Sequence, residues 1–257
     1  MGRFSHLEFQ PEEEFHGLAP EVFKDERYYV SIADQRFHEG RFEEALRYAS
    51  RALEFETRLP DAWLCQVLAL IELDEPSEAK IWSEKGLEIT RDHPELLAAQ
   101  AIARVRLGDR EQGLAMTDVA LARKGASALR WRARGEALLF RDDRNAEFCF
   151  EKGLAEARGD AFEALWIGRV HLHYRRHAPA LRYLERAADR GGSSAFVWEN
   201  LGVCLEALGR KQRALAAYRN AVQLDRTRDS AVRRLAELEG EPFLLAAWRR
   251  VSSLFRN

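Results

Sequence analysis

The densest group of residues able to do chemistry in this chain is a run of three histidines, His171, His173 and His177. On one continuous helix, His173 and His177 would lie four residues apart on one face, where two imidazoles can share a zinc ion. The repeat register of the chain, however, places a turn at Arg175 and Arg176, between them. We therefore expect solvated turn histidines, no metal site and no cofactor.

Other catalytic signals in the sequence are weak. It contains no GxxxxGKS/T, GxGxxG, HExxH or GxSxG motif, the usual signatures of phosphate, dinucleotide, zinc-protease and hydrolase sites. The adjacent residues Asp142 and Asp143 fall in a predicted turn, where aspartate is expected as a helix cap. No arrangement pairs a nucleophile with a base. The sequence therefore predicts that the chain is not an enzyme.

The cysteines indicate a reducing environment. Cys65, Cys149 and Cys204 are odd in number, widely spread and share no CxxC spacing. A disulfide framework is not expected from such a set, and a cytoplasmic location is. Cys149 and Cys204 fall on helix faces, where we expect them to fill the core.

The composition excludes several classes of function. The chain has 257 residues, of which 46% are hydrophobic and 32% charged, with a formal net charge of -2. This balance supports a packed core and lacks the basic excess typical of dedicated nucleic-acid binders. No segment reaches the roughly 18 apolar residues of a membrane span, and the N-terminus lacks the apolar region of a signal peptide. We expect binding to neither nucleic acid nor membrane.

The helices that would position any functional site recur along the chain at a regular interval. Small residues recur as pairs seven apart, and successive pairs are 33 or 34 residues apart. A spacing of seven is two helical turns, so each pair lies on one helix face and lets another helix approach closely. The pairs are Ala45/Ala52, Ala79/Gly86, Gly113/Ala120, Ala146/Gly153, Ala180/Ala187 and Ala214/Ala221. About a dozen residues before each pair, a second periodic segment carries its own small residue (Ala33, Val67, Ala101, Gly135, Gly168 and Gly202).

A turn separates the two segments of each unit, in stretches such as HEGRFEEA and LGDREQG. Prolines occur at the predicted helix starts. The first residue of a helix has no intrahelical acceptor for its N–H, so proline, which lacks this group, is tolerated there. Pro60 and Pro94 open predicted first helices, and Pro76 and Pro179 open predicted second helices. The sequence therefore predicts six helix–turn–helix units of about 34 residues each.

This pattern resembles the tetratricopeptide-repeat family, whose consensus is W-x2-L-G-x2-Y followed by A-x3-F-x2-A. The sixth unit matches most fully, with Trp198, Leu201, Gly202, Ala214, Tyr218 and Ala221. The consensus tyrosine is replaced in each unit, by Arg36, Leu70, Arg104, Leu138, His171 and Leu205. The resemblance covers roughly residues 26–228. It implies an all-α fold, a right-handed α-solenoid of tandem helix-turn-helix repeats of about 34 residues.

Two segments flank the predicted repeats. Residues 1–25 mix apolar side chains with an acidic run at residues 12–14, and we predict an N-terminal acidic arm or cap. This arm either covers the first repeat or folds back into the binding face as a tethered competitor. Residues 229–239 resemble the first helix of a seventh unit. We predict that residues 229–257 are C-terminal capping helices, since a solenoid must cover its last exposed face.

The resemblance also implies a binding surface, because first helices of this family line the concave face of a superhelix, where partners lie. The corresponding stripe is apolar in repeats two and three and mixed with basic residues in repeats four and five. The predicted groove residues are Leu64, Leu68, Ile71, Ala98, Ile102, Val105, Arg106, Arg132, Leu139, Phe162, Leu165, Arg169, Leu172 and His173.

Two interpretations of this stripe stay open. Tight coiling buries it between neighbouring first helices, or it is an exposed groove that binds an amphipathic, partly acidic segment of a protein or peptide. The groove interpretation predicts that Leu68 and Ile102 are exposed and that the chain is a protein-binding scaffold or adaptor. The alternative function is a regulatory or substrate-presenting subunit of a separately encoded enzyme. Self-association and the identity of the partner are left open.

Overall fold

The computed structural model describes residues 24–91 and 93–240, and within these ranges the chain is all-α, as predicted. Thirteen helices follow one another over the described residues. They are α1 (Glu26–His38), α2 (Phe42–Phe55), α3 (Pro60–Glu72), α4 (Pro76–Thr90), α5 (Pro94–Arg106), α6 (Arg110–Ala122), α7 (Ala128–Leu138), α8 (Asp143–Glu156), α9 (Ala161–His173), α10 (His177–Arg190), α11 (Ala195–Ala207), α12 (Lys211–Leu224) and α13 (Asp229–Glu239). The predictions for the arm up to residue 23, and for the helix after residue 240, concern residues outside the described ranges.

The helix boundaries follow from capping and proline. Asp142 caps α8 by accepting the backbone N–H of Asn145 at 3.1 Å, as its place in the turn predicted. Pro60, Pro76 and Pro94 are the first residues of α3, α4 and α5, which confirms their predicted positions. Pro179 differs, because α10 begins at His177 and the proline is its third residue. It is tolerated there since the first four N–H groups of a helix have no intrahelical partner.

The turns of five of the six repeats share one backbone conformation. The second residue after the first helix is left-handed, as at Gly40 (φ 73°), Gly108 (φ 92°) and Gly209 (φ 71°). Asp74 (φ 61°) and Arg175 (φ 56°) adopt the same conformation without the freedom of glycine. The next N–H then bonds back five residues, a helix-ending arrangement that uses the last free carbonyls.

The described residues divide into two compact units, with the boundary between Cys149 and Phe150. In the described part of the first unit, helices pair as hairpins and their predicted small residues are buried at the contacts. Gly113 on α6 shows why such residues are needed. A Cβ atom there would lie 2.6 Å from Cγ2 of Val105 and 3.1 Å from the carbonyl oxygen of Ala101, both on α5.

The second unit packs by the same rule. A Cβ atom on Gly202 of α11 would lie 2.7 Å from the ring of Tyr218 on α12, and Tyr218 is fully buried. A Cβ atom on Gly168 of α9 would lie 2.7 Å from Leu184 on α10. Helix α13 (Asp229–Glu239) matches the predicted first helix of a seventh unit.

Candidate protein-binding surfaces

In the first unit, most of the predicted groove stripe is buried. Helix α5 contacts both α3 and α7, so its stripe lies between two neighbouring first helices. Six predicted groove residues are buried: Ile71, Ala98, Ile102, Val105, Arg132 and Leu139. Only Leu64 and Leu68 on α3 are half-buried among the apolar groove residues of this unit. The expected exposure of Ile102 is therefore wrong, since that residue exposes 3% of its surface.

Small side chains explain this closure. Ala98, Ala99, Ala101 and Ala103 on α5 are completely buried, so this part of the helix presents little bulk to neighbouring helices. Small residues allow close backbone approach, and the longer chains of Ile102 and Val105 then fill the remaining space. On α5, the structure therefore supports the interpretation in which the stripe is buried between neighbouring first helices.

A buried ion network joins three first helices in the same unit. Arg106 of α5 donates from Nε to Oε1 of Glu136 on α7 at 2.9 Å and from Nη1 to the carbonyl oxygen of Ile71 on α3 at 3.0 Å. Its Nη2 also lies 3.8 Å from Oε1 of Glu72. The Arg106 side chain is 5% exposed and that of Glu136 0%. This arginine was predicted as a groove residue, but its contacts make it an internal link between helices.

The second unit presents a different first-helix surface, centred on Arg169 of α9. Its Nη1 donates to Oδ1 of Asn200 on α11 at 2.8 Å, and Nδ2 of Asn200 donates to the carbonyl oxygen of Phe196 at 2.8 Å. The guanidinium carbon of Arg169 lies 5.1 Å from the ring centre of Phe196 and 5.9 Å from that of Trp166. An amide and two rings thus hold this guanidinium in one orientation.

A second arginine reaches the same ring. Arg228, just before α13, has its guanidinium carbon 5.2 Å from the ring centre of Phe196 and pairs with Glu199 of α11. Val203, one turn after Glu199, is 42% exposed. We call Arg169, Leu172, Val203 and Arg228, together with the buried ring of Phe196 that both guanidinium groups contact, the arginine–aromatic surface.

The other predicted groove residues of this unit divide by exposure. Leu165 is buried, Phe162 and Leu172 are half-buried, and His173 is exposed. Phe196 and Arg228 were not predicted as site residues. Phe196 could have been found, because it stands 34 residues after Phe162, at the same repeat position. Arg228 lies outside the helical repeat pattern, and its role depends on the turn before α13.

The histidines lie as the repeat register predicted, with one exception. The turn at Arg175 separates His173, at the end of α9, from His177, at the start of α10. His171 is not solvated: it is 2% exposed and its ring stacks on Tyr183 at 5.6 Å between centres. No group of three or more potential metal ligands occurs among the residues the structure describes.

The cysteine thiols are free and chemically quiet. Burial raises the pKa of Cys204 to about 11, and burial together with the charge of Asp34 raises the pKa of Cys65 to about 12. Thiols with such pKa values are almost entirely protonated near neutral pH and are poor nucleophiles. Cys149 and Cys204 fill the core as predicted. Among the described helices, none is both long and apolar enough to cross a membrane.

Comparison with known proteins supports the repeat fold. A family model described as anaphase-promoting complex, cyclosome, subunit 3 matches residues 141–221. A tetratricopeptide repeat protein from Parabacteroides merdae ATCC 43184 is similar in structure, with a TM-score of 0.51, 17% identity and coverage of 83% of each chain. No curated protein sequence matches the chain.

A chain of the APC/C hetero-tetramer Cut9–Hcn1 is also similar in structure, with a TM-score of 0.50 and 12% identity. The match covers 83% of this chain and 43% of that one, so this chain spans less than half of its length. At such identities the likeness concerns the fold, and it accords with the order of helical hairpins.

Proposed function

Because this chain is a tandem array of tetratricopeptide-type repeats, we propose that it is a protein–protein interaction scaffold or adaptor without catalysis of its own. Its partner is an amphipathic, partly acidic segment of a protein or peptide, not a nucleic acid or a membrane. The proposal places the protein in the cytoplasm, in keeping with its free cysteines.

The observation that carries this proposal is the arginine–aromatic surface. Asn200, Trp166 and Phe196 hold Arg169 in place, so little side-chain freedom is lost when a carboxylate binds it. A charge-assisted hydrogen bond to a carboxylate is about twice as strong as a neutral one. Val203, exposed on α11 one turn after Glu199, offers apolar area. Acidic and apolar side chains of one segment can therefore be recognised together.

The first unit contributes less to this proposal. Of its predicted groove residues, Leu64 and Leu68 offer partly exposed apolar area on α3, and the neighbouring helix α1 carries the exposed carboxylate of Asp34. The buried residues of α5 and α7 cannot contact a partner without repacking. We therefore place the main binding surface on α9 and α11.

The test is a paired capture experiment with matched variants. Arg169→Glu with Val203→Asp reverses one charge and charges one exposed aliphatic residue on the arginine–aromatic surface. Leu224→Asp with Arg226→Glu makes the same two changes on α12 and the turn after it, where both residues are exposed. We expect the first pair to lose specific partners identified by mass spectrometry after capture from the native host, and the control pair to retain them.

Both variants must first show unchanged helicity and a cooperative melting transition well above the temperature of the capture, so that loss of partners reports on binding. Raised salt should weaken capture by the unaltered chain, since exposed charge pairs are screened. Retention of the same partners by both variants would contradict the proposed surface.

The alternative function is a regulatory or substrate-presenting subunit of a separately encoded enzyme. The match of residues 141–221 to a family described as a subunit of the anaphase-promoting complex favours it. An enzymatic activity that co-purifies with the chain, and that is lost with the Arg169→Glu, Val203→Asp variant, would support this alternative over an inert scaffold.

A further inference from the structure

The starts of the second helices carry different charges in the two units. In the first unit, α2, α4 and α6 each have glutamate in the first turn, where a carboxylate complements the partial positive charge of a helix start. In the second unit, α10 and α12 have no acidic residue in the first turn. Lys211 is instead the first residue of α12, where a cation opposes the helix dipole. The second helices of the second unit therefore lack a stabilising charge that those of the first unit have.

The turns that lead into α10 and α12 contain no carboxylate either. Residues 173–184 and 207–219 carry arginine and lysine but neither aspartate nor glutamate. The corresponding turns of the first unit mix both charges, and Arg110, for example, lies between Asp109 and Glu111. Natural proteins break such local stability rules mainly where a surface serves a function. The missing carboxylates of the second unit therefore direct attention to these two turns.

The two turns lie side by side. The thiol of Cys204, near the end of α11, donates to the carbonyl oxygen of His177, the first residue of α10, at 3.3 Å. Burial and the charge of Glu185 raise the pKa of Cys204, and the charge of Arg210 opposes this rise, so Arg210 lies close to the same thiol. One buried sulfur atom thus connects the turn after α9 with the turn after α11.

Three exposed cations on these turns form no ion pair within the part of the chain that the structure describes. They are Arg175, Arg210 and Lys211. Arg175 lies in the turn after α9 and adopts a left-handed conformation with φ 56°, while the other two follow Gly209 in the turn after α11. We call these three residues the basic turn edge. Their charges are exposed and remain available to a partner.

The carboxylates at the margins of the two turns already have cations. Glu185 lies 2.6 Å from Arg213, and Glu206 lies 3.6 Å from Arg234. A count that includes them, with the end of α13, still gives nine lysines and arginines against four glutamates over residues 173–185, 206–219 and 233–239. The two turns and the helix ends around them are therefore net positive.

We propose that the basic turn edge binds a short acidic segment of a partner protein. The carboxylates of that segment pair with the three free cations and supply the negative charge that the starts of α10 and α12 lack. Nucleic-acid binding commonly neutralises about six to ten phosphates, more than three cations on two adjacent turns can supply. The proposal goes beyond the proposed function, because none of these cations belongs to the arginine–aromatic surface.

Binding of a fluorescein-labelled hexaglutamate peptide to the full-length chain, measured by fluorescence anisotropy at low salt, tests the proposal. Lys211→Glu reverses the charge of the first residue of α12, and Arg110→Glu makes the same change at the equivalent exposed residue of α6. We expect Lys211→Glu to weaken peptide binding about tenfold and Arg110→Glu to change it less than about twofold. Lys211→Glu should also melt no lower than the native chain, because glutamate is favourable at a helix start.

Arg175→Asn tests the neighbouring turn. Asparagine adopts the left-handed conformation of this residue more readily than arginine, so the turn should keep its backbone conformation. We expect this variant to bind the peptide about threefold more weakly than the native chain. The combination of Arg175→Asn with Lys211→Glu should leave no measurable binding.

Equal peptide affinity for the native chain, Lys211→Glu and Arg175→Asn would overturn the proposal. Binding of a hexaglutamine peptide as tight as that of hexaglutamate would also overturn it, because charge would then play no part. If a single-stranded oligothymidylate binds more tightly than the peptide and is released by Lys211→Glu, nucleic acid replaces the acidic protein segment as the occupant. The capture experiment on Arg169→Glu with Val203→Asp tests the proposed function separately, so the two can fail independently.

Discussion

Ile102 on α5 and Val203 on α11 occupy the same position of the repeat, yet Ile102 exposes 3% of its surface and Val203 exposes 42%. Their neighbours along the stripe differ in kind. Ala98 and Val105 flank Ile102, while Glu199 and Glu206 flank Val203. Apolar flanks let neighbouring first helices close over the stripe, whereas carboxylates must stay hydrated or find cations at the surface.

The arginines show the same contrast. Arg106 lies between helices and forms an ion pair with a buried carboxylate, so its charge is paired inside the first unit. Arg169 is held by an amide and by ring faces at a half-buried position, so it contacts a different set of groups. The groups around an arginine, and not the arginine itself, thus differ between the two units.

The largest expected effect comes from charging the two equivalent positions. Ile102→Asp places a carboxylate in a closed apolar contact and should lower the free energy of unfolding by about 4 kcal/mol or more. Val203→Asp should change it by less than about 0.5 kcal/mol, as at other exposed sites. Urea unfolding followed by circular dichroism at 222 nm measures both. Equal destabilisation by the two variants would show that α11 is closed like α5.

Much of this fold could be predicted from the sequence. Six pairs of small residues at a fixed period specify which helix faces meet, and the prolines at residues 60, 76 and 94 fix three helix starts. These signals are local, because they depend on helical periodicity and on the missing N–H of proline. The one misplaced proline, Pro179, shows that a first turn accepts proline at more than one position.

The proposed binding surface was harder to predict, because exposure depends on residues from three helices. An apolar stripe on α5 is compatible with a groove or with a buried contact, and only the packing of α3 and α7 against it decides. The ionic role of Arg106 likewise requires Glu136, 30 residues later, to lie within reach. Phe196 could have been predicted, because it shares its repeat position with Phe162. No repeat position identifies Arg228.

The second prediction concerns the two arginines. Arg106→Met removes the guanidinium that lies 2.9 Å from the buried Glu136 carboxylate and should cost about 3 kcal/mol, because breaking a buried ion pair is strongly destabilising. Arg169→Met removes a hydrogen bond and ring contacts at a half-buried site and should cost about 1 kcal/mol. Chemical denaturation of both variants measures the difference.

A rescue variant separates charge from packing in this comparison. Arg106→Met combined with Glu136→Gln removes the stranded charge and should recover at least about half of the lost stability. If the double variant is no more stable than Arg106→Met, the arginine acts through packing and its bond to the Ile71 carbonyl instead.

The third prediction uses a glycine contact in each unit. Gly113→Ala meets the side chain of Val105 and a backbone oxygen, and Gly202→Ala meets the ring of Tyr218. Each should lower the unfolding free energy by about 1–3 kcal/mol through overpacking. In a Tyr218→Leu background, Gly202→Ala should cost less than in the native chain, because the obstructing ring is gone. Additive costs would contradict the ring contact.

The smallest effect concerns alkaline pH and the buried thiol of the second unit. Burial raises the pKa of Cys204 from 9.0 in the unfolded chain to about 11 in the folded one. Between these values the unfolded state releases a proton that the folded state keeps, so stability falls as pH rises through this range. For one thiol the loss between pH 8 and pH 10 is about 1 kcal/mol.

Cys204→Ala should therefore lose about 1 kcal/mol less than the native chain over this range, as measured by urea unfolding at both pH values. Cys65→Ala tests the first unit in the same way, and its fall should also be smaller than that of the native chain, because the pKa of Cys65 is raised as well. A Cys204→Ala variant with the same alkaline loss as the native chain would mean that water reaches this thiol. The surface around Val203 would then extend deeper between α10 and α11 than the buried side chain of Cys204 indicates.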